Sequence, residues 1–356
     1  MNRIEIKGFK SIKELDLPLT RLNIFIGSNG SGKSNFLSFF SFLENIYNKH
    51  LQAYTALNGG IEKFLHKGSK ITKNIECYLR FNKNGYSFTL GNNQGQFLFE
   101  KEDLWYDSNP YYKNPINISN YNSETNLYEE IAPRAEFIKN YLSEVKKYHF
   151  HDTGKDSPFH RESNINKDIY SLYSDGSNLA ALLYRIRKER PIVYNRIVKT
   201  IESIAPYFLD FQLIPNEDSG NIRLLWKNKY CEQLYSSYDL SDGTIRFIAL
   251  ATLLLQPQLP KTLVIDEPEL GLHPFAIAKL AGLVRSASCK DCQVIMATQS
   301  VELINYFQAE EIITVDNIDG ESRFERLKEE ELAIWLDEYA IGDMWKQNII
   351  NTGQPS

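Results

Sequence analysis

The chain has 356 residues, 42% of them hydrophobic, with a formal net charge of −5 and an isoelectric point near 5.8. That length suggests one large or two modest domains around a real core, and the acidic balance gives no support to a binder that covers nucleic acid with its whole surface, although a local basic groove stays open. The longest apolar run, Phe247 to Leu255, is far short of the ~20 residues a membrane helix needs, and four cysteines are too sparse for a disulfide scaffold. The opening, with Arg3, Glu5 and Lys7 in alternation, has no signal-peptide pattern. A cytoplasmic, reduced protein with no membrane association is expected.

Residues 3–9 alternate as a strand, and 15–19 and 22–26 read as two more. The last of these runs straight into a glycine-rich turn. Residues 33–48 read as a helix with Phe36, Leu37, Phe40, Leu43 and Ile46 on one side. Three strands are expected over 71–100, split at Asn84-Gly85 and at Asn92 to Gly95, which makes an antiparallel patch. From 101 to 170 Asn, Tyr, Ser, Asp and Pro dominate, with one helix near 132–147. Residues 178–206 are helical, broken by Pro191 and ended by Pro206, and 210–228 read as a hairpin. From 240 onward helix and strand alternate, which implies a parallel sheet covered on both faces. The expected division is 1–100 and 208–356 as the two parts of one domain, with 101–207 as an inserted polar and helical lobe.

Gly27-Ser28-Asn29-Gly30-Ser31-Gly32-Lys33-Ser34 matches G-x-x-x-x-G-K-[ST] at every fixed position. Glycines let the backbone curl until its N–H groups point at phosphate oxygens, and the loop opens a helix whose positive end faces the anion. Asn29, Gly30, Ser31, Gly32, Lys33, Ser34 and Asn35 are therefore the candidate nucleotide-binding residues. Lys33 is expected to reach the β and γ phosphates and Ser34 to bind Mg²⁺. Thr262-Leu-Val-Ile-Asp266-Glu267-Pro268 is an apolar strand ending in two acids. Such a pair is often only a turn; the loop upstream favours the functional reading. Asp266 is then expected to hold Mg²⁺ through water, and Glu267 to polarise the attacking water.

Leu240-Ser241-Asp242-Gly243-Thr244 heads an apolar helix over 242–255 and resembles the Leu-Ser-Gly-Gly-Gln signature of ABC-type ATPases, with Asp242 and Thr244 as departures. Ser and Asp also suit a plain helix cap, and the two readings are compatible. Glu269-Leu-Gly-Leu-His273-Pro274 looks like a D-loop, whose His273 is expected to shape the loop and a dimer contact. Gln299, after the strand 294–298, stands where most relatives carry a switch histidine. Glutamine can hydrogen-bond a γ-phosphate but cannot take a proton, so it is given a sensing role. With Ile6-Lys-Gly-Phe9, Asp175-Gly-Ser-Asn178 and the closing Trp335 to Tyr339 and Gly342 to Trp345, the chain resembles the RecF/OLD/SMC-like ABC-type ATPases of bacterial DNA maintenance and antiphage defence.

The resemblance implies an α/β fold, a P-loop ABC-type ATPase head with a mixed central sheet, an antiparallel β patch and an inserted, mostly helical lobe. It implies ATP and Mg²⁺ as cofactors, ATP hydrolysis, and a homodimer or higher homo-oligomer joined through ATP, in which Ser241 and the Gly243 backbone touch the partner's γ-phosphate. The long coiled coils of SMC relatives are absent, and the 56 residues after Ser300 hold no acid cluster for two metals. A separate effector, a nuclease or toxin, is therefore expected. A transporter ATPase subunit and a nucleotide-binding scaffold with little turnover are the alternatives. Three weaker signals remain. Cys289-Lys-Asp-Cys292 lacks a second pair and reads as free thiols. His149-Phe-His151-Asp152, with His160, matches no defensible metal spacing. Arg185, Arg187, Lys188, Arg190, Arg196 and Lys199 read as a solvated face, with a DNA or partner groove as the sharper reading.

Overall fold

A computed structural model describes residues 1–107, 115–336 and 338–350. The chain opens with β1 (Arg3–Phe9), β2 (Ile12–Pro18) and β3 (Leu22–Ile26), followed by α1 (Lys33–Tyr47) and α2 (Leu51–Leu57). Next come β4 (Asn74–Phe81), β5 (Asn84–Asn93), β6 (Gln96–Tyr106) and β7 (Ile116–Asn117). Then follow α3 (Pro133–Leu142), β8 (Val145–Tyr148), β9 (Ser163–Asn164), α4 (Leu179–Glu189) and α5 (Pro191–Ile204). Short strands β10 (Phe208–Gln212), β11 (Asn221–Ile222), β12 (Leu225–Asn228) and β13 (Cys231–Ser236) lead into α6 (Asp242–Leu255). The alternating region holds β14 (Thr262–Asp266), α7 (Pro274–Ser288), β15 (Gln293–Ala297), α8 (Val301–Ile304), β16 (Ile312–Ile318), β17 (Glu321–Arg326), α9 (Glu329–Leu336) and α10 (Ile341–Lys346).

Two sheets organise these elements. One is antiparallel, in the order β2-β1-β4-β5-β6-β7. The other runs β17-β16-β3-β15-β14-β8 and is parallel except for β17. The central strands are mostly apolar because both faces are covered, and the period of two divides their side chains. Phe25, Val264, Ile295 and Ala297 face one core, whereas Ile24, Ile265, Val294 and Met296 face the other. The first core lies between the two sheets and contains α1. That position explains why α1 buries Phe39 and Phe42 as well as the expected stripe. Phe36 packs on Phe25 of the parallel sheet at 4.5 Å between ring centroids, and Phe39 packs on Phe9 of the antiparallel sheet at 5.0 Å. Each such ring contributes roughly 1.5–3 kcal/mol by burial. The second core is built by α4 to α7, with Ile245 to Leu255 of α6 buried without a break.

Several local expectations shift. The first hairpin pairs Phe81 with Asn84, so its turn is Asn82-Lys83, with Asn82 at φ 55°, and not Asn84-Gly85. Gly85 instead lies inside β5, where a Cβ would stand 3.0–3.1 Å from Tyr78 and Trp105. The helix near 132–147 stops at Leu142, and Val145–Tyr148 becomes β8, which pairs in parallel with β14 at the sheet edge. Residues 210–228 are not one hairpin: β10 pairs with β12, β12 with β13, and β11 reaches back to β9. Residues 101–207 feed both large sheets through β6, β7 and β8, and pack α4 and α5 on α6. Asp337, within the Trp335 to Tyr339 stretch, and residues 351–353 lie outside the described residues.

One buried carboxylate anchors the polar 115–130 stretch at Thr125 and Asn126. Glu102, fully buried in β6, accepts from Tyr86 Oη (2.7 Å), from the Asn126 N–H (3.0 Å) and from Thr125 Oγ1. Burial pushes its carboxyl up, and the Thr125, Tyr86 and Asn126 donors pull it back. Glu102→Ala strands the fully buried Tyr86 hydroxyl and is expected to cost about 2–4 kcal/mol, since each orphaned buried polar group costs about 1–3 kcal/mol. Urea unfolding measures it; an unchanged midpoint contradicts the assignment.

Candidate functional site

The loop from β3 to α1 lies at the carboxyl end of the parallel strands, where open α/β sheets place their ligand crevices. Its shape is enforced from outside. A Cβ on Gly27 would sit 2.2 Å from the Val315 carbonyl oxygen, and one on Gly32 would sit 1.9 Å from Ser322 Oγ. Gly32 also has φ 112°, which side chains rarely adopt. The β16–β17 hairpin braces the loop: Ser322 Oγ donates to the Ser31 carbonyl at 2.7 Å, and Asn317 Nδ2 donates to the Gly30 carbonyl at 3.3 Å. Lys33 is buried, and its ammonium donates to the Gly27 and Ser28 carbonyls at 2.7 and 2.9 Å. Burial pushes its pKa down, and Glu267, Asp266 and Glu269 hold it up. Ser34 is exposed and Asn35 half-buried, with Asn35 Nδ2 donating to Ser11 Oγ at 2.8 Å.

Strand register brings the acids to this loop. Asp266 pairs with Ala297 and Ala297 with Phe25, so the ends of β14, β15 and β3 lie side by side. Asp266 Oδ1 is buried without a hydrogen-bond partner among the described residues. Burial raises the Asp266 carboxyl, with Lys147 the leading charge opposing that rise. Glu267 sits at φ 41°, with its N–H on the Ala297 carbonyl at 2.9 Å. Gln299 Nε2 donates to Glu267 Oε1. Glu269 is buried and accepts through Oε1 from Thr298 Oγ1 (2.6 Å) and from the Gln299 N–H (3.0 Å). Backbone N–H groups, the Lys33 ammonium and hard carboxylate and hydroxyl oxygens are thus gathered at the carboxyl end of the parallel strands. The unpaired Asp266 oxygen and the exposed Ser34 hydroxyl fit what a hydrated Mg²⁺ takes beside a polyphosphate.

Some residues in the cleft carry signals that sequence alone did not resolve. His149 and His151 stack at 4.2 Å, and His151 Nε2 lies 3.0 Å from the Asp266 carbonyl oxygen. His160 is elsewhere, with Nδ1 2.8 Å from Ser237 Oγ and its ring on Tyr238. Among the described residues no His, Cys, Asp and Glu group could hold a metal by itself. Arg246, the lone charge in the body of α6 and a visible oddity in the sequence, is buried. Its Nε donates to the Phe150 carbonyl at 2.8 Å, Nη2 to the His151 carbonyl at 3.2 Å, and Nη1 to the Leu270 carbonyl.

Ser241 and Gly243 are at the start of α6, away from Lys33 in sequence and at the protein surface. Ser241 Oγ caps the helix by accepting from the Thr244 N–H at 3.3 Å, and Ser241 and Asp242 are exposed. Gly243 packs against the loop after β14, where a Cβ would stand 2.2 Å from the Gly271 carbonyl oxygen. His273 caps α7 through Nδ1, which accepts from the Phe275 N–H at 3.3 Å. Together Ser241, Gly243, Thr244, Gly271 and His273 line a cavity of about 390 Å³. Half of the basic run on α4 and α5 is paired: Arg185 with Glu189, Arg187 with Asp210 and Lys199 with Glu202. Cys289 is exposed, whereas Cys292 is buried, with its thiol pushed up to about 12. Among the described residues no helix is long and apolar enough to cross a membrane.

Residues 22–305 match the family described as "AAA domain, putative AbiEii toxin, Type IV TA system". No curated protein matches the chain. Two solved structures have similar folds. One is an Smc head bound to the C-winged helix domain of ScpA, with a TM-score of 0.59 and 19% identity over 94% of this chain and 99% of that one. The other is an Smc head domain with an extended coiled coil, bound to a ScpA C-terminal domain derived from Pyrococcus furiosus. It has a TM-score of 0.56 and 17% identity over 95% of this chain and 98% of that one. At such identities the likeness is one of fold, and it agrees with the mixed α/β architecture described above. The chain belongs to this AAA-domain family, and its fold is that of an ABC-type P-loop ATPase head.

Proposed function

We propose that this protein is a Mg²⁺-dependent, ATP-hydrolysing switch of the RecF/OLD-like kind. It dimerises through ATP and acts in antiphage defence or DNA repair with a separate effector, a nuclease or toxin. The observation that carries the hydrolytic part is Glu267, held by Gln299 at the end of β14, beside the braced loop and Lys33. A loop that only bound nucleotide would have no need of a carboxylate fixed at that point.

In this reading the N–H groups of Asn29 to Asn35 and the Lys33 ammonium bind the triphosphate, Lys33 exchanging the Gly27 and Ser28 carbonyls for phosphate oxygens. Ser34, and Asp266 through water, would hold Mg²⁺, which would neutralise charge on the phosphates. Glu267 accepts the proton of the attacking water. Gln299 cannot take that proton; it orients Glu267 and senses the γ-phosphate. Ser241 and the Gly243 N–H, on the exposed end of α6, cover the nucleotide of a second copy, so each site is completed by its partner. ATP then acts as the joint and hydrolysis as the release. A similar head bound to a winged-helix domain of another protein supports partnership with a separate chain.

Lys33→Ala is expected to lower turnover by about 10²–10³-fold or more, because it removes the charge placed on the transferring group. Phosphate release measures it, and a rate near wild type refutes the cradle. Glu267→Gln keeps the shape but removes the base, so turnover should fall about 10²–10⁴-fold. Light scattering of that variant with ATP and Mg²⁺ should show a dimer that persists; a monomer under saturating ATP rules out the ATP-joined assembly.

A further inference from the structure

Glu267 has a carboxylate neighbour two residues on that neither the loop nor the metal pair needs. Glu269 is 8% exposed, and its two oxygens are used unequally. Oε1 accepts from Thr298 Oγ1 at 2.6 Å and from the Gln299 N–H at 3.0 Å, whereas Oε2 is buried with no hydrogen-bond partner among the described residues. Burying a carboxylate with one oxygen bare is costly, and here the other oxygen accepts two hydrogen bonds from the turn after β15. Thr298 and Gln299 form the turn after β15, and Gln299 Nε2 donates to Glu267 Oε1. The three residues make one chain: the Glu269 carboxylate holds the Gln299 backbone, and the Gln299 side chain holds the Glu267 carboxylate.

The turn has other tethers. The Thr298 N–H donates to the Phe25 carbonyl at 3.0 Å, and the Ser300 N–H donates to Thr298 Oγ1 at 3.0 Å. Those bonds fix the path of the chain but leave the Gln299 N–H without an acceptor. Glu267 is at φ 41°, a strained backbone, and Gln299 Nε2 is the donor that holds its side chain.

Resting on the hydrolytic reading above, we propose that Glu269 is a positioning residue: through Thr298 and Gln299 it aims the Glu267 carboxylate at the attacking water. Glu269 itself touches neither nucleotide nor water. Its effect passes through Gln299, so the two residues act as one unit and their losses do not add.

The test is a double-mutant cycle on phosphate release by the full chain, with ATP and Mg²⁺, and with thermal melts of every variant. E269A should lower kcat by about 10–100-fold, as expected for a misaimed general base, and leave KM within about 2-fold. E269A combined with Q299A should be no slower than Q299A alone, within about 2-fold. E269Q keeps the Oε1 acceptor and should recover most of the loss. A kcat near wild type in E269A, losses that multiply in the double variant, or E269Q as slow as E269A would each overturn the assignment. Should E269A not fold, T298V removes the donor on the other side of the 2.6 Å bond and is read in the same way, with an unchanged kcat counting against the proposal. A wild-type chain that releases no phosphate overturns the hydrolytic reading and this one with it. Wild-type turnover, an inert E267Q and a fully active E269A would overturn this inference alone.

Discussion

The parallel register of β14, β15 and β3 is the constraint on which the site depends. Pairing Asp266 with Ala297 and Ala297 with Phe25 brings the strand ending at residue 266 level with the one ending at residue 26, with β15 between them. Sliding that pairing by one residue would turn Asp266 toward the α6–α7 core and Ile265 toward the loop, because strand side chains alternate. The register is secured by apolar contacts on both faces: Phe25, Val264 and Ile295 against α1, Ile24, Ile265 and Met296 against the helical layer. The aromatic packing around α1 therefore supports the site as well as the core.

Above that register lies a polar layer that would be expensive if left unpaired. Lys33, Arg246, Glu269 and Thr298 are all buried, and each meets a specific partner. Arg246 is the most connected of them. It ties α6, which starts at Ser241 and Gly243, to the His151 carbonyl beside Asp266 and to the Leu270 carbonyl in the loop that Gly243 abuts. A shift at the start of α6 would strain those bonds, so the exposed end of α6 and the acids of the cleft are mechanically joined within one subunit. Three of the eight buried side-chain atoms without partners among the described residues, Ser31 Oγ, Asp266 Oδ1 and Glu269 Oε2, belong to this region.

How much of this was legible beforehand differs by element. The glycine-rich loop, the strand before it and the helix after it are local, and local spacing was enough to read them. So was the 242–255 helix, whose cap and apolar body lie together in sequence. The Asn84-Gly85 turn was misread because a glycine needed for clearance from Trp105 looks the same in a sequence as a glycine needed for a turn. β8 was absorbed into the helix before it because only four residues, Val145–Tyr148, carry it, and an edge strand that short has no period of its own.

Residue type and local spacing set the chemistry available: a curled backbone, an ammonium, two acids after an apolar strand, and a capped helix that can face a phosphate. Each is a matter of residue type and spacing over a dozen positions or fewer. Which of these groups meet is a property of the folded chain. The hold of Gln299 on Glu267, of Glu269 on the turn that carries Gln299, of Arg246 on two separate loops, and of Ser322 on the Ser31 carbonyl join residues up to 291 positions apart. Hydrogen bonds of about 3 Å leave no trace in spacing along a chain; they follow from strand register and from how two cores close around a shared sheet.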